Sequence, residues 1–254
     1  MSVTKTPEQV EKLRASAQLL SRCLKLLVDN CVPGKSGLDI DNLAEEFIRD
    51  NGATPAFKNY GGGYAKIPFP GSICFSRNQV MVHGIPKAND IIQEGDILTI
   101  DCGLELNEWY ADAARLVGIG EISQEDKDII TATEAALQAG INTCKVGNKL
   151  GDVCNAIQRS IGRSKYHNVL EFCGHAIGKQ MHEEPSVPNY GPAKTGINLE
   201  VGMVFCLEPM LKKTDTQIAI AQDGWTIVTL DNSRATHIEH MVLITENGPE
   251  ILTI

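Results

Sequence analysis

Five residues of this chain have the types and settings of a metal site: Asp101, Asp112, His175, Glu208 and Glu239, four carboxylates and one imidazole. Asp101 closes the apolar run Ile97-Leu98-Thr99-Ile100, and Glu208 closes Met203-Val204-Phe205-Cys206-Leu207. Glu239 is embedded in Ile238-Glu239-His240-Met241-Val242-Leu243-Ile244. A carboxylate in an apolar stretch is costly without a partner, and the flanking sequence offers few Lys or Arg to supply one. A pair of divalent cations would supply it. The donor set is hard and oxygen-rich, which suits Co, Mn, Fe or Zn in pairs over a thiolate-type zinc site. Two such ions about 3.5–4 Å apart can share a water, lower its pKa and polarise a carbonyl, so the chemistry to expect is hydrolysis.

The elements that must carry these residues are read from periodicity and caps. Thr6-Pro7-Glu8 is a helix start, with Thr as cap and Pro in the first turn. Val10, Leu13, Ala17, Leu20, Leu24, Leu27 and Val28 follow at helical spacing. A turn at Pro33-Gly34 leads to a second helix from Asp39 to about Arg49, ended by Asn51-Gly52. The Gly- and Pro-rich stretch from Tyr60 to Gly71 reads as loop, and strands follow from about Ile73. After Gly120 the order restarts. Ser123-Gln124-Glu125-Asp126 opens a helix to about Thr143, Gly147 turns the chain, and a helix runs from about Leu150 to Ile161 before more strands.

The two stretches match in detail. Cys31-Val32-Pro33-Gly34 with Asp39-Ile40 parallels Cys144-Lys145-Val146-Gly147 with Asp152-Val153. His83-Gly84-Ile85-Pro86 parallels His175-Ala176-Ile177-Gly178. Glu94-Gly95-Asp96-Ile97, ending at Asp101, parallels Val201-Gly202-Met203-Val204, ending at Glu208. The expected organisation is one α/β (α+β) domain over residues 1–254, with helix-helix-strand halves at about 6–120 and 121–254 related by a pseudo-twofold axis around a central dinuclear site. Two copies are too few for a solenoid. Alternation along Ile97 to Leu104 puts Thr99, Asp101 and Gly103 on one strand face. A hairpin turn centred between Leu106 and Asn107 would set Asp101 directly opposite Asp112. Alone, Asp112 reads as an exposed hairpin residue; the other four candidates argue instead for a cation between the two acids.

Composition bounds the rest. The chain has 254 residues, 43% hydrophobic and 22% charged, enough for a full globular core. A formal charge of −9 argues against nucleic-acid binding carried by overall charge. The N-terminus is polar and lacks the apolar run of a secretory signal, and no apolar run approaches a membrane span. Eight Cys without a CxxC pair or zinc-ribbon spacing read as reduced thiols of a cytoplasmic protein. Cys23 and Cys154 fall on helix faces as small buried apolar residues.

The residues reached so far resemble type I methionine aminopeptidases of the short bacterial kind over nearly the whole chain. The matching stretches are Met81-Val82-His83-Gly84-Ile85-Pro86, Ile100-Asp101 with Asp112, and Cys173-Gly174-His175-Ala176-Ile177-Gly178 with His182-Glu183-Glu184-Pro185. Phe205-Cys206-Leu207-Glu208-Pro209-Met210, Asp223-Gly224-Trp225-Thr226 and Ile238-Glu239-His240 follow in order. The resemblance implies the pita-bread fold. It implies that Asp101 and Asp112 bind one metal and His175 and Glu208 the other, with Asp112 and Glu239 bridging. It implies that His83 contacts the scissile amide nitrogen and His182 the carbonyl oxygen, with Glu208 as the proton carrier for the attacking water and the leaving amine. It also places Phe69, Cys74, His83, Met181 and Trp225 around the first side chain, where sulfur and aromatic walls suit a thioether.

The implied function is removal of the N-terminal methionine from nascent polypeptides whose second residue is small. Two divalent cations of unspecified identity would serve it, with transient ribosome association, no membrane and no direct nucleic-acid role. Monomer is the default. This chain departs from the family at Ala176, usually Gly, at Met181, usually Phe, at Val82, often Cys, and across Asn59-Tyr60-Gly61-Gly62-Gly63-Tyr64. None of these is a ligand, so they bear on pocket shape and substrate range. Two rivals share the fold. A proline-directed enzyme usually carries a sizeable extra N-terminal domain, and here about seventy residues precede the first strands. A non-catalytic binding protein loses ligands, and here all five are kept.

Overall fold

The capping residues define four helices among the described residues. In the computed structural model, which describes residues 3–61 and 66–254, α1 (Pro7–Asn30) starts behind Thr6, whose hydroxyl accepts from Gln9 N. Helix α2 (Gly37–Asp50) starts behind Ser36, two residues earlier than its sequence reading, because Asp39 sits in the third helical position and accepts from Ser36 N at 2.8 Å. Helices α3 (Gln124–Thr143) and α4 (Leu150–Ile161) follow. Asp152 accepts from Lys149 N, also at 2.8 Å, so the carboxylate half of the α2 cap recurs at α4, without the side-chain hydroxyl that Ser36 supplies. Gly34 and Gly147, both at φ 93, turn the chain identically before these two helices.

The strands, in chain order, are β1 (Thr54–Pro55), β2 (Ile73–Arg77), β3 (Val80–Val82), β4 (Ile97–Leu106), β5 (Trp109–Gly118), β6 (His167–Asn168), β7 (Cys173–Ala176) and β8 (Glu183–Pro188). After them come β9 (Val204–Leu207), β10 (Met210–Lys212), β11 (Ile218–Ile220), β12 (Ile227–Thr229), β13 (Ala235–His237), β14 (His240–Thr245) and β15 (Gly248–Ile251). The short β1 precedes the expected first strand because Thr54 and Pro55 pair with the end of β4. Every strand pairing among the described residues is antiparallel. β4 joins β5 on one side and β2 and β1 on the other; β15-β14-β9-β7-β8 form a second sheet; β13-β10-β6 and β11-β12-β3 are smaller.

One core lies under α1 and α2 and takes in Phe75, Ile100, Leu104 and Ala113, together with Cys206 and Met241 of the second sheet. The other lies under α3 and α4 and takes in Ala176, Phe205 and Val242. The two larger sheets meet where Glu239 N donates to Ala114 O at 3.2 Å and Ala114 N to Glu239 O at 3.4 Å. That exchange carries the gap between β13 and β14 against β5, and it brings Glu239 beside Asp112.

The β4–β5 hairpin corrects one expectation. Its turn is Asn107-Glu108, both at positive φ (51° and 68°), the two-residue geometry whose twist matches flanking strands. The register therefore pairs Gly103 with Asp112 and Asp101 with Ala114. Asp101 and Asp112 share a face as diagonal neighbours instead of facing directly, which leaves room between their carboxylates. Of the stretch Tyr60 to Gly71 expected as loop, Gly62, Gly63 and Tyr64 lie outside the described residues.

Candidate metal centre

The five candidate ligands converge from both larger sheets onto one cavity of about 240 Å³. Asp101 and Asp112 project from β4 and β5 and His175 from β7. Glu208 follows β9, and Glu239 sits in the break between β13 and β14, not inside a strand as its apolar setting suggested. Donor atoms of Asp101, Asp112 and Glu239 lie within 4.8 Å of one another, as do those of His175, Cys206 and Glu239 and those of Asp112, His175 and His182. Asp112, His175 and Glu239 each belong to two of these groups.

The electrostatics of the site call for a cation. His175 Nδ1 lies 3.0 Å from Ala176 O, which can only accept, so this nitrogen carries the proton and Nε2 presents a lone pair. That lone pair faces Asp112 Oδ2 at 3.9 Å and Glu208 Oε1 at 3.8 Å. Burial drives His175 down to about 3, so no imidazolium offsets these oxygens at neutral pH. Asp101 Oδ1, Asp112 Oδ1 and Glu239 Oε1 are buried without a hydrogen-bond partner. Arg115 lies behind Glu239 but directs its guanidinium to the main-chain oxygens of Ala114, Glu239 and Thr253. Burial pushes Asp101 up to about 7 and Glu208 up to about 8. Burial first, then the neighbouring carboxylates, raises Asp112 and Glu239 well above the usual carboxylate range. Orphaned buried oxygens and an inward-facing imidazole lone pair are the donor set that hard divalent cations fill.

A stability prediction follows for protein stripped of divalent metal. Asp101 and Glu208, raised from 3.8 and 4.5, bind more protons folded than unfolded, so their contribution is full at low pH and declines as pH rises through about 7 and 8. His175 and His83, lowered to about 3 and 4, act oppositely, but their effect is complete once pH exceeds 6.5. From pH 6.5 to 8 the metal-free protein should therefore lose melting temperature, and saturating divalent metal should abolish the loss. Parallel melts with and without metal check this; a metal-free curve that is flat or rising over that window would refute it.

The remaining sequence candidates line the same cavity. Phe69, Cys74, Met181 and Trp225 are buried and form one apolar cluster with Phe57. Phe69 and Trp225 meet edge to face at 5.4 Å between centroids. Trp225 also serves its hairpin: Asp223, after which the chain turns, accepts from Trp225 N and Thr226 N. Cys74 pairs with Asp101 across β2 and β4, so a wall of the apolar cup touches the metal-facing strand. His83 follows β3 at φ 57, its ring 6.2 Å from that of Trp225. His182 stands at the mouth, 4.4 Å from His175 ring to ring, with Nδ1 2.9 Å from Tyr60 Oη.

Sequence reasoning missed several neighbours. Phe57, Tyr60, Phe172, Cys173 and Met210 also line the cavity; the first two come from an irregular segment with no periodic signal. His237, buried in β13, has Nε2 3.5 Å from Glu208 Oε2. Its position two residues before Glu239 was the local signal that could have found it. Cys206 stays a thiol, pushed up by burial and by the Glu239 and Asp112 charges, with its Sγ within 4.8 Å of a Glu239 carboxylate oxygen.

Residues 11–246 match the family described as metallopeptidase family M24. The chain is 41% identical over 254 residues to a methionine aminopeptidase of Clostridium acetobutylicum, covering 100% of this chain and 99% of that one. It is 37% identical over 253 residues to methionine aminopeptidase 1 of Bacillus subtilis, covering 100% and 99%. The crystal structure of methionine aminopeptidase from Rickettsia prowazekii superposes with a TM-score of 0.93 at 35% identity over 99% of both chains. A prolidase from Pyrococcus furiosus shares the fold, with a TM-score of 0.77 at 20% identity over 99% of this chain and 65% of that one.

Proposed function

This chain belongs to metallopeptidase family M24, has its pita-bread fold and acts as a metal-dependent methionine aminopeptidase, and on that premise we propose the roles of its residues. Asp101, Asp112, His175, Glu208 and Glu239 would hold a pair of divalent cations, with Asp101 and Asp112 serving one and His175 and Glu208 the other, and Asp112 and Glu239 close enough to serve both. The observation that carries this reading is the set of unpartnered buried oxygens on Asp101, Asp112 and Glu239 facing the lone pair of His175. When bound, the cations polarise the substrate carbonyl and acidify a water.

The chain's own groups perform the rest. Phe69, Cys74, Met181 and Trp225 enclose the first side chain, a cup of sulfur and ring faces suited to a thioether. Glu208 accepts the proton of the attacking water and delivers it to the departing amine. His182 donates to the developing oxyanion, its ring held from behind by Tyr60. His83 hydrogen-bonds the scissile nitrogen. The substrates are nascent polypeptides with a small second residue, met in the cytoplasm with transient ribosome contact. No helix among the described residues is long and apolar enough to cross a membrane. A single domain, duplicated as 6–120 and 121–254, belongs to the same reading, supported by the recurring cap and turn before α2 and α4.

Assaying purified protein on Met-Ala-Ser against Ala-Pro peptides, with and without divalent metal, tests the activity. Metal-dependent release of methionine with the Ala-Pro series untouched is the expected result; preference for Ala-Pro would overturn the reading. Met181 adds a specificity test, because its flexible thioether makes one wall adaptable. Met181→Phe should shift specificity constants among Met, Leu and norleucine peptides relative to one another, by no more than about 1–3 kcal/mol, at unchanged metal affinity. A common factor on all three, or no change, would remove Met181 from the pocket.

A further inference from the structure

Lys5 and Glu183 are 178 residues apart, yet Lys5 Nζ lies 2.6 Å from Glu183 Oε2, with the two side chains only 4% and 8% exposed. The arm carrying Lys5 is fixed on the main chain as well. Thr4 bridges Met203, and Lys5 N donates to Gly202 O at 2.9 Å. The approach is close: a Cβ on Gly202 would stand 2.4 Å from Lys5 O. At the other end of the pair, Glu183 Oε1 accepts from Gln180 N at 3.2 Å. Gly178 makes room for both charges, since a Cβ there would lie 2.6 Å from Glu183 Oε1 and from Lys5 Nζ.

The segment joined in this way has no helix or strand between Ile177 and His182. Besides the Glu183 carboxylate, Gly178 N bonds Gln180 O at 3.1 Å and Tyr110 N bonds Gly178 O at 2.9 Å. It carries Met181 and His182, both at the cavity. A buried ion pair adds little net stability over an apolar pair of the same shape, and its worth lies in fixing one arrangement. We propose that the Lys5–Glu183 pair is a strap by which the N-terminal arm sets the position of the loop bearing Met181 and His182, making Lys5 and Glu183 positioning residues for substrate. This rests on the assignment of Met181 and His182 to the substrate given above.

The test uses Lys5→Met, Glu183→Gln and the double variant. Each single variant strands one buried charge, whereas the double variant removes both and should melt near the parent. All three should bind metal with the parental stoichiometry. All three should show faster hydrogen exchange in the peptide covering residues 178–183 and a KM for Met-Ala-Ser raised roughly tenfold, in keeping with the sensitivity of substrate placement to small displacements. If the singles do not fold, the double variant decides alone. Unchanged exchange in a folded double variant overturns the strap, whatever KM does. Faster exchange with unchanged KM leaves the strap standing and removes Met181 and His182 from the substrate.

Discussion

Asp101→Asn is expected to abolish turnover, by more than about 100-fold, while leaving the fold intact. The substitution keeps the shape of a side chain only 8% exposed and removes a charge whose Oδ1 has no hydrogen-bond partner. Without metal, the amide is easier to bury than the carboxylate, so the metal-free variant should melt no lower than the metal-free parent. With metal present the ranking should reverse, because the parent gains the binding free energy of cations that the variant holds poorly. Isothermal titration beside steady-state kinetics checks both halves. Parental stoichiometry and rate in the variant would remove Asp101 from the site.

His83→Ala is expected to separate chemistry from metal binding. The ring lies against Trp225 and Phe172, outside the cluster of donor atoms around Asp112. Burial lowers it to about 4, so it is a neutral imidazole at working pH, fit to hydrogen-bond the scissile nitrogen without repelling cations. Its removal should lower kcat by roughly 100-fold at parental metal content. A drop in metal content instead would make His83 a ligand or a structural group.

These expectations were legible to different depths. The helices came from caps and 3.6-residue periodicity, which act locally; only the start of α2 moved, because Asp39 serves its capping box from inside the helix. The ligands were visible because a carboxylate in an apolar run is a local anomaly. What a run cannot reveal is where its strand breaks. Glu208 and Glu239 sit at the ends of strands, where the backbone is free to aim a side chain across the gap between sheets. The register of the β4–β5 hairpin was misplaced by one position of its turn, since Asn107 and Glu108 both take positive φ and no Gly announces it. His182 and the apolar cup were reached through family resemblance alone, because residues from five separate segments meet there only after folding. Tyr60 and the Lys5–Glu183 pair were missed for the same reason: each is a contact across a long stretch of sequence with no local pattern.

The measurement closest to the central claim is titration of the metal-free protein with Mn²⁺ or Co²⁺, following methionine release from Met-Ala-Ser beside calorimetric binding. The arrangement of Asp101, Asp112, His175, Glu208 and Glu239 predicts no turnover without metal, activity that grows with occupancy, and binding that saturates at two cations per chain. Methionine release at full rate from protein free of divalent metal, or saturation without any bound cation, would contradict it.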